Sequence, residues 1–182
     1  MIQDIKNVLI SEEELDAVVT RLAQEIDEDY QGTDKRLVLL CILKGSVVFM
    51  GDLMKKITAP VEIDFMRVCS YGNESVSNGN INIILDLMRK DINECDILIV
   101  EDIIDSGRTL KYLVDYLLHK GAKSVKTCTL LDKPDRRVVD FSADYVGVVI
   151  PDEFVVGYGL DFAEKYRTLP YIGILKPEVY LK

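Results

Sequence analysis

Histidine occurs once in this 182-residue chain, tryptophan not at all and cysteine four times. One histidine excludes a His-rich metal site, and any Ser-His-Asp triad would have to use it. That residue, His119, falls at the end of an expected helix, two residues before Gly121. There an imidazole meets the last helical carbonyls, a structural role. Cys41, Cys69, Cys95 and Cys128 are scattered, with no C-x-x-C pair, so neither a zinc site nor a redox motif is indicated. Cys41 lies in an apolar run and reads as core. The longest wholly apolar run near the start, Leu37–Leu43, is far short of the ~20 residues of a membrane helix. The N-terminus (MIQDIKNVLI) carries acidic and polar residues where a signal peptide needs an apolar stretch. A cytoplasmic protein is expected. Positive charge is also scarce: 22 Lys+Arg face 31 Asp+Glu, a net charge of −9. That balance argues against generic nucleic-acid binding, which neutralises phosphates with Lys and Arg.

What is present describes a soluble globule, with 48% hydrophobic and 29% charged residues. The length fits one domain, residues 1–182. Ser11-Glu12-Glu13-Glu14 reads as a capping box. Leu15, Val18, Val19, Leu22 and Ile26 continue it as an amphipathic helix. Leu37–Leu43 is apolar on both faces, like a buried parallel strand. A helix is expected over Ser46–Ile57, with Val47, Met50, Leu53 and Met54 on one side, then a strand over Val61–Ser70. Residues 71–80 (YGNESVSNGN) read as a loop. Further strands are expected at Ile81–Leu87, Ile97–Val100, Val125–Leu131, Tyr145–Ile150 and Tyr171–Leu175. A helix over Thr109–His119 should bury Leu110, Leu113, Val114 and Leu117 and stop at Gly121. Alternating strands and helices imply an α/β parallel sheet covered on both faces, with ligands at the carboxyl ends of its strands. The extra strands near the C-terminus suggest a small appended lobe.

The most informative string is VEDIIDSGRTL, residues 100–110. An apolar strand runs into Glu101 and Asp102, a third acid, Asp105, follows at the turn, and a helix begins after Ser106-Gly107-Arg108-Thr109. Adjacent acids at a strand end need water, a cation or hydroxyl donors. They can hold Mg²⁺ or accept hydrogen bonds from sugar hydroxyls. The Ser-Gly-Arg-Thr turn suits a phosphate, with close backbone approach, hydroxyl donors and a helix N-terminus. Acids beside an anion cradle describe a sugar phosphate. No G-x-x-x-x-G-K-[ST] occurs, and Gly157-Tyr158-Gly159 lacks the third glycine of a dinucleotide fingerprint.

This string resembles the phosphoribosyl pyrophosphate motif of the type I phosphoribosyltransferases. Three other segments fit the same resemblance in order. Leu43-Lys44-Gly45-Ser46 by itself is a strand-to-helix turn. LLDKPDRR (residues 130–137) by itself reads equally as a solvated basic turn. IPDEFVVGYGLDFAEKYR (residues 150–167) contains Phe154, which alone would be a core aromatic. Together they look like the purine site of hypoxanthine-guanine phosphoribosyltransferases, over about residues 10–175.

The resemblance implies a parallel-sheet type I phosphoribosyltransferase fold with helices on both faces. Its core would span about residues 35–150. A small hood lobe would come from the N-terminal segment and about 151–182. Lys44 and Gly45 would bind pyrophosphate, with a strained or cis peptide allowed before Lys44. Arg137 and Arg167 would face the same group. Glu101 and Asp102 would take ribose hydroxyls and Mg²⁺. Asp161 would sit near a second Mg²⁺ and the base. Asp105 would assist proton removal, and Ser106, Gly107, Arg108 and Thr109 would hold the 5′-phosphate. Lys133 would donate to the purine 6-oxygen, Phe154 would stack on the base, and Val155 would offer backbone contacts. Ser70 and Tyr71 match the start of a lid. The implied reaction joins phosphoribosyl pyrophosphate to hypoxanthine or guanine, giving IMP or GMP and pyrophosphate. Xanthine could join or replace guanine. A homodimer or homotetramer is implied by resemblance alone, with no nucleic-acid or membrane partner. Two other readings stand beside it: a non-catalytic phosphoribosyl pyrophosphate sensor, and a phospho-acceptor signalling domain, which the residues beyond Leu131 do not suit.

Overall fold

A computed structural model describes residues 2–70 and 81–181, without the Ser70 side chain. Tyr71 and the loop expected over residues 72–80 lie outside the described residues.

Strand β1 (Ile5–Ile10) leads into helix α1 (Glu12–Tyr30). The capping box forms as expected: the Ser11 side chain accepts from the Glu14 N–H, and the Glu14 carboxylate from the Ser11 N–H at 2.7 Å. Next come β2 (Arg36–Leu43), α2 (Val47–Lys56), β3 (Val61–Ser70) and β4 (Ile81–Leu85). Then follow β5 (Cys95–Ile104), α3 (Arg108–His119), β6 (Ser124–Asp132) and β7 (Tyr145–Val149). The chain closes with β8 (Val155–Val156), β9 (Ile172–Leu175) and the short α4 (Pro177–Tyr180).

Six strands form the main sheet in the order β4-β3-β2-β5-β6-β7, parallel except for β4. Strand β2 shows why its sequence is apolar throughout. Leu37, Leu39 and Cys41 pack on the face that α1 and α2 cover, while Val38, Leu40 and Ile42 pack on the α3 face. Period-two alternation with both faces buried demands a continuous hydrophobic run. The buried Cys41 agrees with its reading as core. Helix α3 ends in a Schellman arrangement, with the Ala122 N–H bonding the Leu117 carbonyl and the Gly121 N–H that of Leu118. His119 Nδ1 lies 2.6 Å from the Asp115 carbonyl in that last turn.

Three expectations need correction. The α2 face is Phe49, Met50 and Leu53, whereas Val47 and Met54 are 45% and 38% exposed. Phe49 brings more apolar surface inward than either, and the helix turns to bury it. The strand expected over Ile97–Val100 is β5, Cys95–Ile104, so Glu101 and Asp102 are strand residues rather than residues beyond the strand. Backbone pairing to β6 continues past them, Glu101 to Thr129 and Ile103 to Leu131. Strands β1 and β8 were not expected. They join β9 in a separate antiparallel sheet, β1-β9-β8, that ties the N-terminal segment to the C-terminal one.

Strand order positions the site. From β2 the chain crosses by α2 to β3 on one side, and from β5 it crosses by α3 to β6 on the other. The carboxyl ends of β2 and β5 therefore form the switch point where the sheet's winding reverses and a crevice opens.

Candidate active site

Two turns meet at that crevice. Cys41 pairs with Val100, so Lys44-Gly45 after β2 and Glu101-Asp102 late in β5 emerge side by side. The peptide bond between Leu43 and Lys44 is cis. A Cβ built on Gly45 would stand 1.6 Å from Asp102 Oδ2.

Burial, and next the neighbouring Asp102 charge, push the Glu101 carboxyl well above its usual range. Burial also raises Asp102, against the opposing effects of hydrogen bonds from Glu101 and the Ile103 N–H and of the Arg167 charge. Two buried carboxylates so placed oppose ionising together. Glu101 Oε2 is buried with no hydrogen-bond partner among the described residues. Such an oxygen suits a cation or a hydroxyl donor. Among the described residues no three His, Cys, Asp or Glu side chains cluster as a metal site. Mg²⁺ needs fewer, since it is commonly bound through one or two carboxylates, waters and substrate oxygens. Glu101 and Asp102 fit that donor chemistry. Asp161 does not in this arrangement: its Oδ1 is 2.9 Å from Arg167 Nη2, and its Oδ2 accepts the Glu164 N–H at 2.8 Å.

Beyond β5, Gly107 caps α3 with φ of +79°, a backbone open chiefly to glycine. The turn into α3 lines a small cavity of about 100 Å³. Glu101, Asp105, Ser106, Gly107 and Thr109 line it, and the Arg108 N–H reaches Ser106 Oγ only at 3.4 Å. Arg137 backs this turn. It pairs with Asp132, its Cδ would lie 2.9 Å from a Gly107 Cβ, and its Nη1 is buried without a partner among the described residues.

A second cavity, of about 320 Å³, adjoins the first. Its walls include Asp105, Lys133, Arg136, Phe154 and Tyr180. Lys133 is 9% exposed, and its ammonium donates to the Glu153 carbonyl at 2.6 Å. Burial lowers its pKa, against the attraction of Asp105 and Asp152. The Phe154 ring stacks on Tyr180 at 4.7 Å and meets Phe162 edge-on at 5.6 Å. Val155 is buried in β8, paired with Ile174. Asp105 lines both cavities, and its Oδ1 lies 3.1 Å from Arg136 Nε.

On the far side of the crevice, Lys44 Nζ lies 3.0 Å from each Glu164 carboxylate oxygen. Arg167 donates to the Gly159 carbonyl at 2.8 Å. The structure therefore gathers Lys44, Gly45, Glu101, Asp102, Asp105, Arg167 and residues 106–109 at one crevice, with Lys133 and Phe154 beside it. Of the two residues expected to begin a lid, Ser70 ends β3 and Tyr71 lies outside the described residues. Sequence reasoning missed Arg136 as the partner of Asp105, Glu164 as the partner of Lys44, and Tyr180 on the Phe154 ring. Arg136 was visible in the basic run 133–137. Nothing in the sequence marked the other two.

A mostly parallel sheet whose switch point carries an acidic pair and a glycine-capped helix start places the chain among the α/β proteins. The pattern of the phosphoribosyl transferase domain matches residues 8–163, and the chain belongs to that family. It is 54% identical to the hypoxanthine-guanine phosphoribosyltransferase of Bacillus subtilis, over 99% of this chain and 98% of that one. It is 55% identical to the bifunctional protein TilS/HprT of Listeria monocytogenes, again over 99% of this chain but only 27% of that protein's length. A crystal structure of a hypoxanthine phosphoribosyltransferase from Staphylococcus aureus superposes with a TM-score of 0.93 at 50% identity. That match covers 99% of this chain and 96% of the other.

Proposed function

We propose that the chain transfers the 5-phosphoribosyl group of phosphoribosyl pyrophosphate to a ring nitrogen of hypoxanthine or guanine, releasing pyrophosphate and IMP or GMP. One observation carries this reading: Asp105 lines both the cradle cavity and the Lys133–Phe154 cavity. A base at that junction stands where the sugar and the purine must be joined.

Ser106, Gly107, Arg108 and Thr109 receive the 5′-phosphate through hydroxyls and the first N–H groups of α3. Glu101 and Asp102 accept hydrogen bonds from the ribose hydroxyls and are the residues that would hold Mg²⁺. When bound, that ion would draw charge from the departing pyrophosphate. Lys44 and Arg167 offer the same group fixed cationic donors. Arg137, locked behind the cradle by Asp132, completes the anion-binding wall. Asp105 takes the proton from the purine ring nitrogen as the new bond forms, a contribution of about 10²–10⁴-fold. Lys133 donates and cannot accept, which favours a 6-oxo over a 6-amino group. Phe154 covers the base, Val155 offers backbone groups to its edge, and Asp161 orients Arg167.

A lid beginning at Ser70 and Tyr71 would keep water from the electrophilic sugar. The proposal extends to a single catalytic unit whose hood combines the N-terminal segment with residues 151–182, and to a cytoplasmic homodimer or homotetramer. Among the described residues no helix is long and apolar enough to cross a membrane. The test is a Mg²⁺-dependent assay offering hypoxanthine, guanine, xanthine and adenine separately with phosphoribosyl pyrophosphate. Nucleotide from hypoxanthine or guanine and little from adenine is expected. No product from any base, with phosphoribosyl pyrophosphate still bound, would favour the sensor instead.

A further inference from the structure

Lys44 and Arg167 are the cations assigned above to pyrophosphate, and one carboxylate meets both. Glu164 places each of its oxygens 3.0 Å from Lys44 Nζ, and its Oε2 lies 3.4 Å from Arg167 Nη2. The Lys44 ammonium holds the Glu164 carboxyl below its usual range, with a smaller effect from Arg167.

The backbone that presents Glu164 breaks a local rule. Phe162 and Lys165 bond each other in both directions, Phe162 N–H to the Lys165 carbonyl at 3.2 Å and the reverse at 3.0 Å. Between them Ala163 and Glu164 adopt φ of +50° and +63°. This is the left-handed two-residue turn that strongly prefers Asn-Gly or Gly-Gly. Neither residue here is favoured in it. The Asp161 carboxylate pins the turn by accepting the Glu164 N–H, and its other oxygen holds Arg167. A strained turn held by its surroundings at a ligand site points to a role for the side chain it presents.

We propose that Glu164 is a positioning residue that holds Lys44 in the crevice as its counter-ion and gives it up when pyrophosphate binds. This rests on the reading that Lys44 and Arg167 receive pyrophosphate. Asp161 already pairs with Arg167, whereas Lys44, on a flexible stem, would leave the crevice without Glu164 as its counter-ion. The Glu164 carboxylate keeps it there. The Glu164 side chain is 67% exposed, so its hold is weak in water. Pyrophosphate brings more oxygens and more charge, and displaces it. As the product departs the carboxylate returns, which keeps the cations from retaining it.

Calorimetric titration with inorganic pyrophosphate, in the presence of Mg²⁺, tests the proposal on the full chain. Glu164→Gln removes the charge, and Glu164→Gly also relieves the turn. Both should tighten pyrophosphate about two- to five-fold. The gain should fade at high salt, where exposed charges are screened. The steady-state inhibition constant of pyrophosphate should fall by the same factor, with the KM of the purine unmoved. In a Lys44→Ala background the effect of Glu164→Gln should shrink. If Lys44→Ala weakens pyrophosphate while neither Glu164 variant tightens it, the displaced-anion role is overturned and the site reading survives. If Lys44→Ala leaves pyrophosphate affinity unchanged, the site reading fails and takes the proposal with it.

Discussion

The α-carbon of Gly45 rests against the Asp102 carboxylate, so closely that a methyl group there would overlap Oδ2 and stand 2.7 Å from Cγ. The contact joins the turn after β2 to the acidic pair of β5. Gly45→Ala must displace one of them. Because misplacing a reacting group by about 1 Å can cost ~10²-fold, we expect kcat/KM to fall by about that factor. The melting temperature should change much less, since the contact lies at a crevice rather than in the core. Steady-state kinetics paired with thermal denaturation would check this, and unchanged kinetics would remove the contact from the argument.

Asp105 stands at the junction of the two cavities and makes an ion pair with the half-exposed Arg136. Asp105→Asn keeps its shape and removes its ability to take a proton. Turnover should drop about 10²–10⁴-fold while phosphoribosyl pyrophosphate affinity changes little. Equal losses in turnover and binding would make Asp105 a binding residue only.

Lys133 carries a donor-only ammonium in the cavity it shares with Phe154, anchored by the Glu153 carbonyl. Glutamine can both donate and accept. Lys133→Gln should therefore narrow the kcat/KM ratio of hypoxanthine to adenine by about ten-fold or more, the worth of a hydrogen bond to a charged group. The ratio itself is the readout. If it does not move, Lys133 does not read the 6-position.

Asp27 on α1 accepts from the Thr58 N–H and hydroxyl and from the Ala59 N–H, at 2.8–2.9 Å, and so ties α1 to the turn after α2. Burial pushes its carboxyl up, but the hydrogen bonds from Ala59 and Thr58 outweigh it and hold the group below its usual range. A depressed pKa contributes stability above the unfolded value, near ~3.9, and loses it as pH falls through the folded value. Asp27→Asn should cost about 1–2 kcal/mol at neutral pH, by weakening these bonds. The gap between variant and parent should close as the pH drops below the ordinary carboxylate range. Melting curves from pH 7 to pH 3 would show it, and a gap constant with pH would assign the cost to packing.

How much of this was legible in the residues differs by element. The capping box before α1 and the apolar run of β2 act locally, so their patterns translate directly into structure. Strand β1 did not announce itself, because Ile5–Ile10 owes its strand to pairing with β9, about 165 residues along the chain. The face of α2 was misread because Val47 and Met54 are apolar by type, whereas Phe49 wins the inward position through contacts made only in three dimensions. Within the site, residues 106–109 lie in one contiguous string, so the turn into α3 follows from local order. The Glu164–Lys44 contact spans 120 residues and follows no spacing rule.

The sequence by itself determined the alternation of buried strands and helices and the acidic pair before a glycine-containing turn that opens a helix. These follow from residue type and short-range order. Only the tertiary structure decided that Gly45 lies against Asp102, that Asp105 opens onto two cavities, and that Arg137 backs Gly107. Those relations depend on the reversal of strand order between β2 and β5 and on two termini sharing one small sheet. Long-range pairing sets both, through the burial of faces that no local window contains.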